Sequence, residues 1–268
     1  MERPVVSVIT PVRNGRAYLA DCIESVLSQS YPNIEHVIVD AQSDDGTLEI
    51  ILEYHKKYPD RIRFISEPDN GPGDGWNKGL KMAKGDIFGC LGYDDLYLPD
   101  SIATVVRFFA DNPKAQFIHG DCDFINATGE TIGRHKTEEF DYRHFVNTAR
   151  HISTPSAFYK REVIEKIGWL DASGDDFDVM LRIARDYDIH RIGQTLSKLR
   201  LHSSAFRPSN FSKRKDLQRD TFKVSRKYGG HIFSRIAVVY YYYVVFDLLH
   251  IDFLHKYIKR FFIKTNYP

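Results

Sequence analysis

Between Val5 and Leu91, short β-rich apolar runs alternate with segments of helical period. That alternation restricts the fold more than any other feature of the chain. Val5–Thr10 is the first such run, closed by Pro11. After the loop Val12–Arg16, apolar residues fall at Leu19, Cys22, Ile23, Val26 and Leu27, the spacing of an amphipathic helix. His36–Val39 gives a second strand that ends in Asp40, and Ser43–Thr47 supplies a turn and a helix start. Leu48, Ile51, Leu52 and Tyr58 mark that helix's apolar face. Arg61–Ser66 reads as a third strand, Gly75–Ala83 as a short helix, and Ile87–Leu91 as a fourth, buried strand. Strands joined through helices run parallel, so the spacing predicts an α/β fold with a mostly parallel central sheet flanked by helices.

The second half changes character. Phe117–Phe124 and Thr131–Arg134 flank Asn126-Ala-Thr-Gly129 as a β-hairpin. Ser156–Lys160 is a further strand, followed by a helix at Glu162–Ile167 with Gly168 as its stop. Asp175 and Asp176 precede a helix with Phe177, Met180, Leu181 and Ala184 on one face, and Thr195–Leu201 reads as a last strand ending at His202. A mixed half built onto a parallel one predicts one continuous domain.

A chain of 268 residues with a net charge of +1 lacks the strongly basic footprint of a nucleic-acid binder. Cys22, Cys90 and Cys122 show no zinc spacing and read as reduced thiols in an intracellular protein, with Cys22 and Cys90 on buried faces. The start, MERPVVSVITP, has no secretory pattern, and no run approaches the ~20 apolar residues of a membrane span. The expected location is the cytoplasm.

Two strands finish in carboxylates: Asp40 after VIV, and Asp94-Asp95 after CLGY. The C-terminal edge of an open α/β sheet is where ligands bind. Neither GxGxxG nor GxxxxGK[ST] is present, which disfavours dinucleotide and P-loop chemistry. Adjacent carboxylates repel, and a magnesium or manganese ion bridging to phosphate would hold both ionised. The alternative is that Asp94 and Asp95 only turn the chain before a helix opening at Pro99. Asp40 is either a contact to a base or ribose, or a strand-end turn. Asn14 either orders its loop or caps the helix near Ala17. Lys78 either neutralises phosphate or lies on a solvated helix face, and Asp175 or Asp176 can equally cap the helix at Phe177.

Taken in order, these stretches resemble the inverting, nucleotide-sugar-dependent glycosyltransferases of family 2, which have the GT-A fold. The resemblance runs from about Val5 to Arg207. SVITPVRN is similar to the family's opening strand and nucleotide loop, and VIVDAQSDDGT to its second-strand motif. SEPDNGPGDGWNKG is similar to the segment that precedes the metal-site strand, and LGYDD to the DXD-type motif. FYKREVIEKIGWLD, DDFDVMLR and LRLH resemble the acceptor block, its acidic pair and the closing RxH element. Gly92 stands where many relatives carry an acidic or amide residue, Asp175 replaces the usual glutamate, and Gly73–Trp76 departs from the commoner sequence.

The resemblance implies a GT-A domain over residues 1–209 with a helical, basic and aromatic extension over 210–268. It implies a nucleoside-diphosphate sugar as donor, UDP by default, and a saccharide or lipid-linked saccharide as acceptor in surface-polysaccharide or lipopolysaccharide assembly. Asp176 is the implied base. Asp95 and His202 are the implied ligands of a divalent cation, Mn²⁺ or Mg²⁺. Pro11, Arg13, Asn14, Asp40, Asn70, Lys78 and Asp94 are implied on the donor side. Two rivals stand beside this reading: a degenerate nucleotide-sugar or carbohydrate-binding module, and a nucleotidyltransferase, for which PVRNGRAY is a poor loop. In the extension, the apolar Ile236–Phe246 run followed by Lys256, Lys259, Arg260 and Lys264 suits either a membrane interface over 231–268 or a packed helix.

Overall fold

The computed structural model describes residues 3–149, 152–168, 176–202 and 211–248. By contacts the chain divides into two units, Met1–Glu139 with Ile152–His202, and Phe140–His151 with Ser203–Pro268.

In the first unit, β1 (Val6–Val12), β2 (Ile34–Asp40), β3 (Ile62–Ser66) and β4 (Ile87–Cys90) are parallel, in the spatial order β3-β2-β1-β4. The period-2 alternation of β1 explains the layers on either side. Val6, Val8 and Val12 belong to clusters shared with α1 (Leu19–Leu27), α2 (Thr47–Lys57) and α4 (Ser101–Asp111). Ile9 and Pro11 instead meet α3 (Pro72–Met82). A β-carbon on Gly79 would stand 2.3 Å from Ile9 Cγ2, and one on Gly75 would stand 3.0 Å from Pro11 Cβ. These two glycines, one turn apart, let the helix lie directly on the strand.

The second half of the sheet is mixed. β5 (Leu96–Tyr97), β6 (Phe117–Ile125), β7 (Thr131–His135), β8 (Ala157–Lys160) and β9 (Ile189–Arg200) continue the order as β4-β8-β6-β9-β5, with β7 hairpinned to β6. β8 is antiparallel to β4 and β6, and β9 is parallel to β6. α6 (Arg161–Ile167) and α7 (Asp176–Asp186) complete this unit.

Several boundaries differ from expectation: β1 runs through Pro11 to Val12, β2 starts at Ile34 rather than His36, and three further differences have a visible cause. Helix α3 starts at Pro72 rather than Gly75, because proline fits the first turn of a helix. Helix α4 starts at Ser101 rather than Pro99. The Pro99 carbonyl accepts from the Ser30 N–H, and Asp100 accepts from the Ser30 hydroxyl, so both residues are held in the preceding turn. Strand β9 starts at Ile189 rather than Thr195. Its register against β6 shifts near Gly120, so Gly193 marks an irregularity inside one strand. Cys22 is buried as expected, whereas Cys90 is half-buried.

Two buried histidines make the fold acid-sensitive. His36 shares a 2.9 Å hydrogen bond with Thr10 through Nε2 and has no partner at Nδ1, and burial lowers its pKa from 6.5 to about 3. Neither ring nitrogen of His119 has a partner, and burial and the nearby Arg191 charge lower its pKa to about 4. Both stay neutral in the native state, while the unfolded chain takes up protons below pH 6.5. Their contribution is therefore present above that value and is lost as pH falls toward 4 and then 3. Each proton contributes a slope of roughly 1.4 kcal/mol per pH unit. Urea unfolding at pH 7 and pH 5 is expected to show this loss, with His119→Phe removing about one proton's share. An unchanged slope in that variant would count against the assignment.

The second unit contains α5 (Tyr142–Thr148), α8 (Phe211–Lys227) and α9 (Arg235–Leu248). Nothing in the local sequence ties Phe140–His151 to the extension. The Ser225 hydroxyl donates to the Val146 carbonyl at 2.6 Å, and Tyr142 Oη donates to the Tyr228 carbonyl at 3.1 Å.

Candidate active site

Parallel strands place their C-terminal ends on one edge, and the register sets Val12, Asp40 and Ser66 side by side there. The loops leaving β1 and β2 are zipped together. Asn14 N–H donates to Ser43 Oγ at 2.8 Å, Asp44 N–H to Asn14 Oδ1 at 3.1 Å, and Gly15 N–H to Thr47 Oγ1 at 2.9 Å. Asn14 holds a left-handed φ of 54°, a conformation asparagine tolerates, and orders the loop rather than capping α1, which starts at Leu19. Asp40 is wholly buried. Its carboxylate accepts from the Ser43 hydroxyl at 2.5 Å, the Ser66 hydroxyl at 2.6 Å and the Ser43 N–H.

On the α3 side, Asn70 donates twice to Asp74, from N–H at 3.1 Å and from Nδ2 at 3.3 Å. Lys78 pairs with Glu67 at 3.0 Å and Asp74 at 3.6 Å, so its charge is shared with two carboxylates on the helix and the preceding loop. Pro11 is half-buried against Gly75, and Arg13 is exposed.

The paired carboxylates lie between β4 and β5. Asp95 N–H donates to the Gly92 carbonyl at 3.0 Å, closing a tight turn. β5 pairs antiparallel with β9, Leu96 opposite Lys198, and continuing that register brings Arg200 and His202 to the turn. Arg200 N–H donates to Asp95 Oδ1 at 2.9 Å, and its guanidinium, 2% exposed, donates to the carbonyls of Asp94 (2.9 Å) and Ala127 (3.1 Å) and to Asp21 (3.3 Å). His202 Nε2 lies 2.8 Å from Asp94 Oδ2. The Tyr18 ring packs against both, 4.6 Å from the Arg200 Cζ and 4.7 Å from the His202 ring. Beneath the turn, the Cys22 thiol donates to the Gly92 carbonyl at 3.4 Å.

Crowding by the two carboxylates accounts for a glycine at position 92. A β-carbon at that position would lie 2.8 Å from Asp95 Oδ2 and 2.9 Å from Asp94 Oδ1. The two oxygens therefore converge on the same small space. Asp95 is buried beside a like charge, and burial first, then Asp94, push its carboxyl well above the usual 3.8, against the opposing pull of Arg200. A crowded pair of hard oxygens with a disfavoured charge is the donor set a divalent cation suits. Among the described residues no group of three or more His, Cys, Asp and Glu side chains forms a metal-binding set. The protein thus offers two carboxylates, with His202 Nε2 engaged by Asp94.

Asp94, Asp95 and His202 are thus brought together, and Asp40 and Asn14 lie on the same sheet edge. Asp176 is the first residue of α7, anchored through buried Phe177, Met180 and Leu181 and the 2.7 Å bond from Arg182 to the Ile167 carbonyl. The Asp176 side chain and Asp175 lie outside the described residues. Arg200 and Tyr18 are functional-site residues beyond those expected from the sequence. The R-x-H spacing at a strand end was the available signal, since residues two apart share a face.

Arg200 is expected to be the brace of this turn. Arg200→Met leaves two carbonyls without a donor and should lower stability by roughly 3 kcal/mol in urea unfolding. Arg200→Lys should recover little of it, because one ammonium cannot span that fork. A loss below about 1 kcal/mol would show that the turn stands without the brace.

An α/β sheet of this order, with paired carboxylates at the C-terminal edge, is an architecture of the GT-A type. The profile of glycosyl transferase family 2 matches residues 7–168, and the chain belongs to that family. An uncharacterized glycosyltransferase of Rickettsia felis is 31% identical over 212 residues, covering 75% of this chain and 35% of that protein. One from Methanocaldococcus jannaschii is 28% identical over 258 residues, covering 92% and 89%. The chain spans 35% of the length of the Rickettsia felis relative and 65% of one from Rickettsia typhi. Among solved structures, Staphylococcus aureus TarS 1–349 in complex with UDP-GlcNAc aligns at a TM-score of 0.67 and 16% identity, over 97% of this chain and 76% of that one. The mannosyltransferase PcManGT from Pyrobaculum calidifontis, in complex with GDP-Man and Mn²⁺, aligns at 0.62 and 17%, over 99% and 89%.

Proposed function

We propose that this chain transfers a sugar from a nucleoside-diphosphate donor, UDP by default, to a hydroxyl of a saccharide or lipid-linked saccharide, with inversion. Surface-polysaccharide or lipopolysaccharide assembly is the setting that fits such an acceptor. The observation that carries the reading is the convergence of Asp94 Oδ1 and Asp95 Oδ2 over Gly92, braced by Arg200 and His202. Structural neighbours crystallised with UDP-GlcNAc, and with GDP-Man and Mn²⁺, support it.

Asp95 and Asp94 would hold the divalent cation, with His202 orienting Asp94. When bound, Mn²⁺ or Mg²⁺ supplies Lewis-acid stabilisation of the departing diphosphate. Asp40 acts on the nucleotide side through Ser43 and Ser66, whose hydroxyls it orients. Arg13 is an exposed cation beside the same loop and suits phosphate or ribose contact. Asp176 takes the proton of the acceptor hydroxyl as it attacks the anomeric carbon. The C–O bond to the diphosphate breaks on the opposite side, which inverts the configuration.

Melting curves with UDP or GDP, each with and without Mn²⁺ or Mg²⁺, test the binding half. At a ligand concentration 100-fold above Kd the stabilisation is about 2.7 kcal/mol. A rise that needs nucleotide and cation together is expected, with slow donor hydrolysis under the same conditions. Binding without hydrolysis or transfer would favour the binding-module reading, and no shift with any nucleoside diphosphate would overturn the proposal.

A further inference from the structure

The charge of this chain is divided between its two units. The second unit carries 15 Lys and Arg against 5 Asp, a net +10, while the first carries 22 against 31, a net −9. A total of +1 conceals this asymmetry.

The second unit also presents apolar side chains to solvent. On α9, Val238, Tyr241 and Val245 fall at i, i+3 and i+7, one face of a helix, and are 61%, 44% and 48% exposed. The approach to the helix adds Ile232 at 43% and Phe233 at 77%. The opposite face is the packed one: Ile236, Ala237 and Tyr243 are buried, and Tyr240 stacks on Phe222 of α8 with centroids 5.1 Å apart, while the half-exposed Tyr241 ring reaches the same Phe222 at 5.7 Å. Exposed large apolar residues in such a row mark an interaction surface.

Three occupants could cover it: a second copy, the chain following α9, or a lipid surface. Charge decides among them. Two copies of a +10 unit repel each other, and that total includes Lys256, Lys259, Arg260 and Lys264 against one aspartate in residues 249–268. An anionic surface is attracted by all of these cations at once. We propose that the second unit docks on an anionic lipid surface, the α9 stripe and Phe233 entering the headgroup boundary and the surrounding cations facing the headgroups. The 14 described residues of α9 span about 21 Å, against a hydrocarbon core of ~30 Å. No helix among the described residues is long and apolar enough to cross a membrane, and the proposal lays this stretch along the bilayer surface. This inference does not rest on the sugar-transfer reading, and its test contains no reaction.

The test is co-sedimentation of the full chain with phosphatidylcholine vesicles, with and without about 30% phosphatidylglycerol. Binding should be at least about tenfold tighter to the anionic vesicles and should weaken as salt is raised. Phe233→Ser/Val238→Ser/Val245→Ser removes exposed groups only, so its melting temperature should hold while partitioning falls about tenfold or more. Lys223→Glu/Lys227→Glu should also lower binding at least about tenfold. Absence of binding, equal binding to neutral vesicles, or undiminished binding by either variant overturns the proposal. A dimer in sedimentation velocity that the triple serine variant dissolves would assign the stripe to a second copy instead.

Discussion

Asp95→Asn should reduce sugar transfer by on the order of a thousandfold while making the protein without added cation more resistant to heat. The loss follows from position. On the proposed function, removing one charged oxygen from the pair around Gly92 would take away charge stabilisation of the departing diphosphate, for which such a factor is typical of a single preorganised group. The gain follows from linkage. Burial and the neighbouring Asp94 raise the Asp95 pKa in the folded state. Its contribution to stability is therefore full below the ordinary value of 3.8 and is lost as pH rises through the raised folded value. Asparagine carries no such charge at neutral pH, and its Oδ1 can still accept the Arg200 N–H. Relief of a like-charge contact of roughly 1 kcal/mol corresponds to about 2–4 °C in a chain of this size. Transfer assays and melting curves read the two halves separately. Activity within about tenfold of the parent would remove Asp95 from the chemistry.

Asp176→Asn should produce the complementary split. A general base contributes on the order of 10²–10⁴ in rate, so kcat should fall by roughly a thousandfold. Donor binding, read as the melting shift with nucleoside diphosphate and Mn²⁺, should remain. Because the carboxylate must be ionised to accept a proton, the acid limb of the parent's pH–rate profile should be absent from the variant's residual activity. Asp176 opens α7, whose buried Phe177, Met180 and Leu181 anchor the helix without it, so a folded variant is expected. Retained transfer would return Asp176 to the role of helix cap, and loss of donor binding along with kcat would show a structural effect.

The parallel half of the sheet and its flanking helices were legible because hydrophobic period is local information. The β-rich apolar run of β1, buried on both faces, and the helical spacing over Leu19–Leu27 are both set by near neighbours in the chain. The paired carboxylates at a strand end were legible for the same reason. Less legible were boundaries set by distant partners. Pro99 and Asp100 stay out of α4 because Ser30 holds them, and β9 runs through Gly193 because β6 pairs with it on both sides.

What the sequence alone determined is the order of elements, the sheet edge on which acids collect, and a strongly cationic C-terminal third. Only the tertiary structure decided that Arg200 braces a turn 105 positions away, that His202 meets Asp94, and that Gly92 leaves two carboxylates facing one space. The physical reason is that helix and strand period are fixed by near neighbours. The antiparallel register of β5 on β9, which brings those residues together, is selected by the burial of the whole sheet.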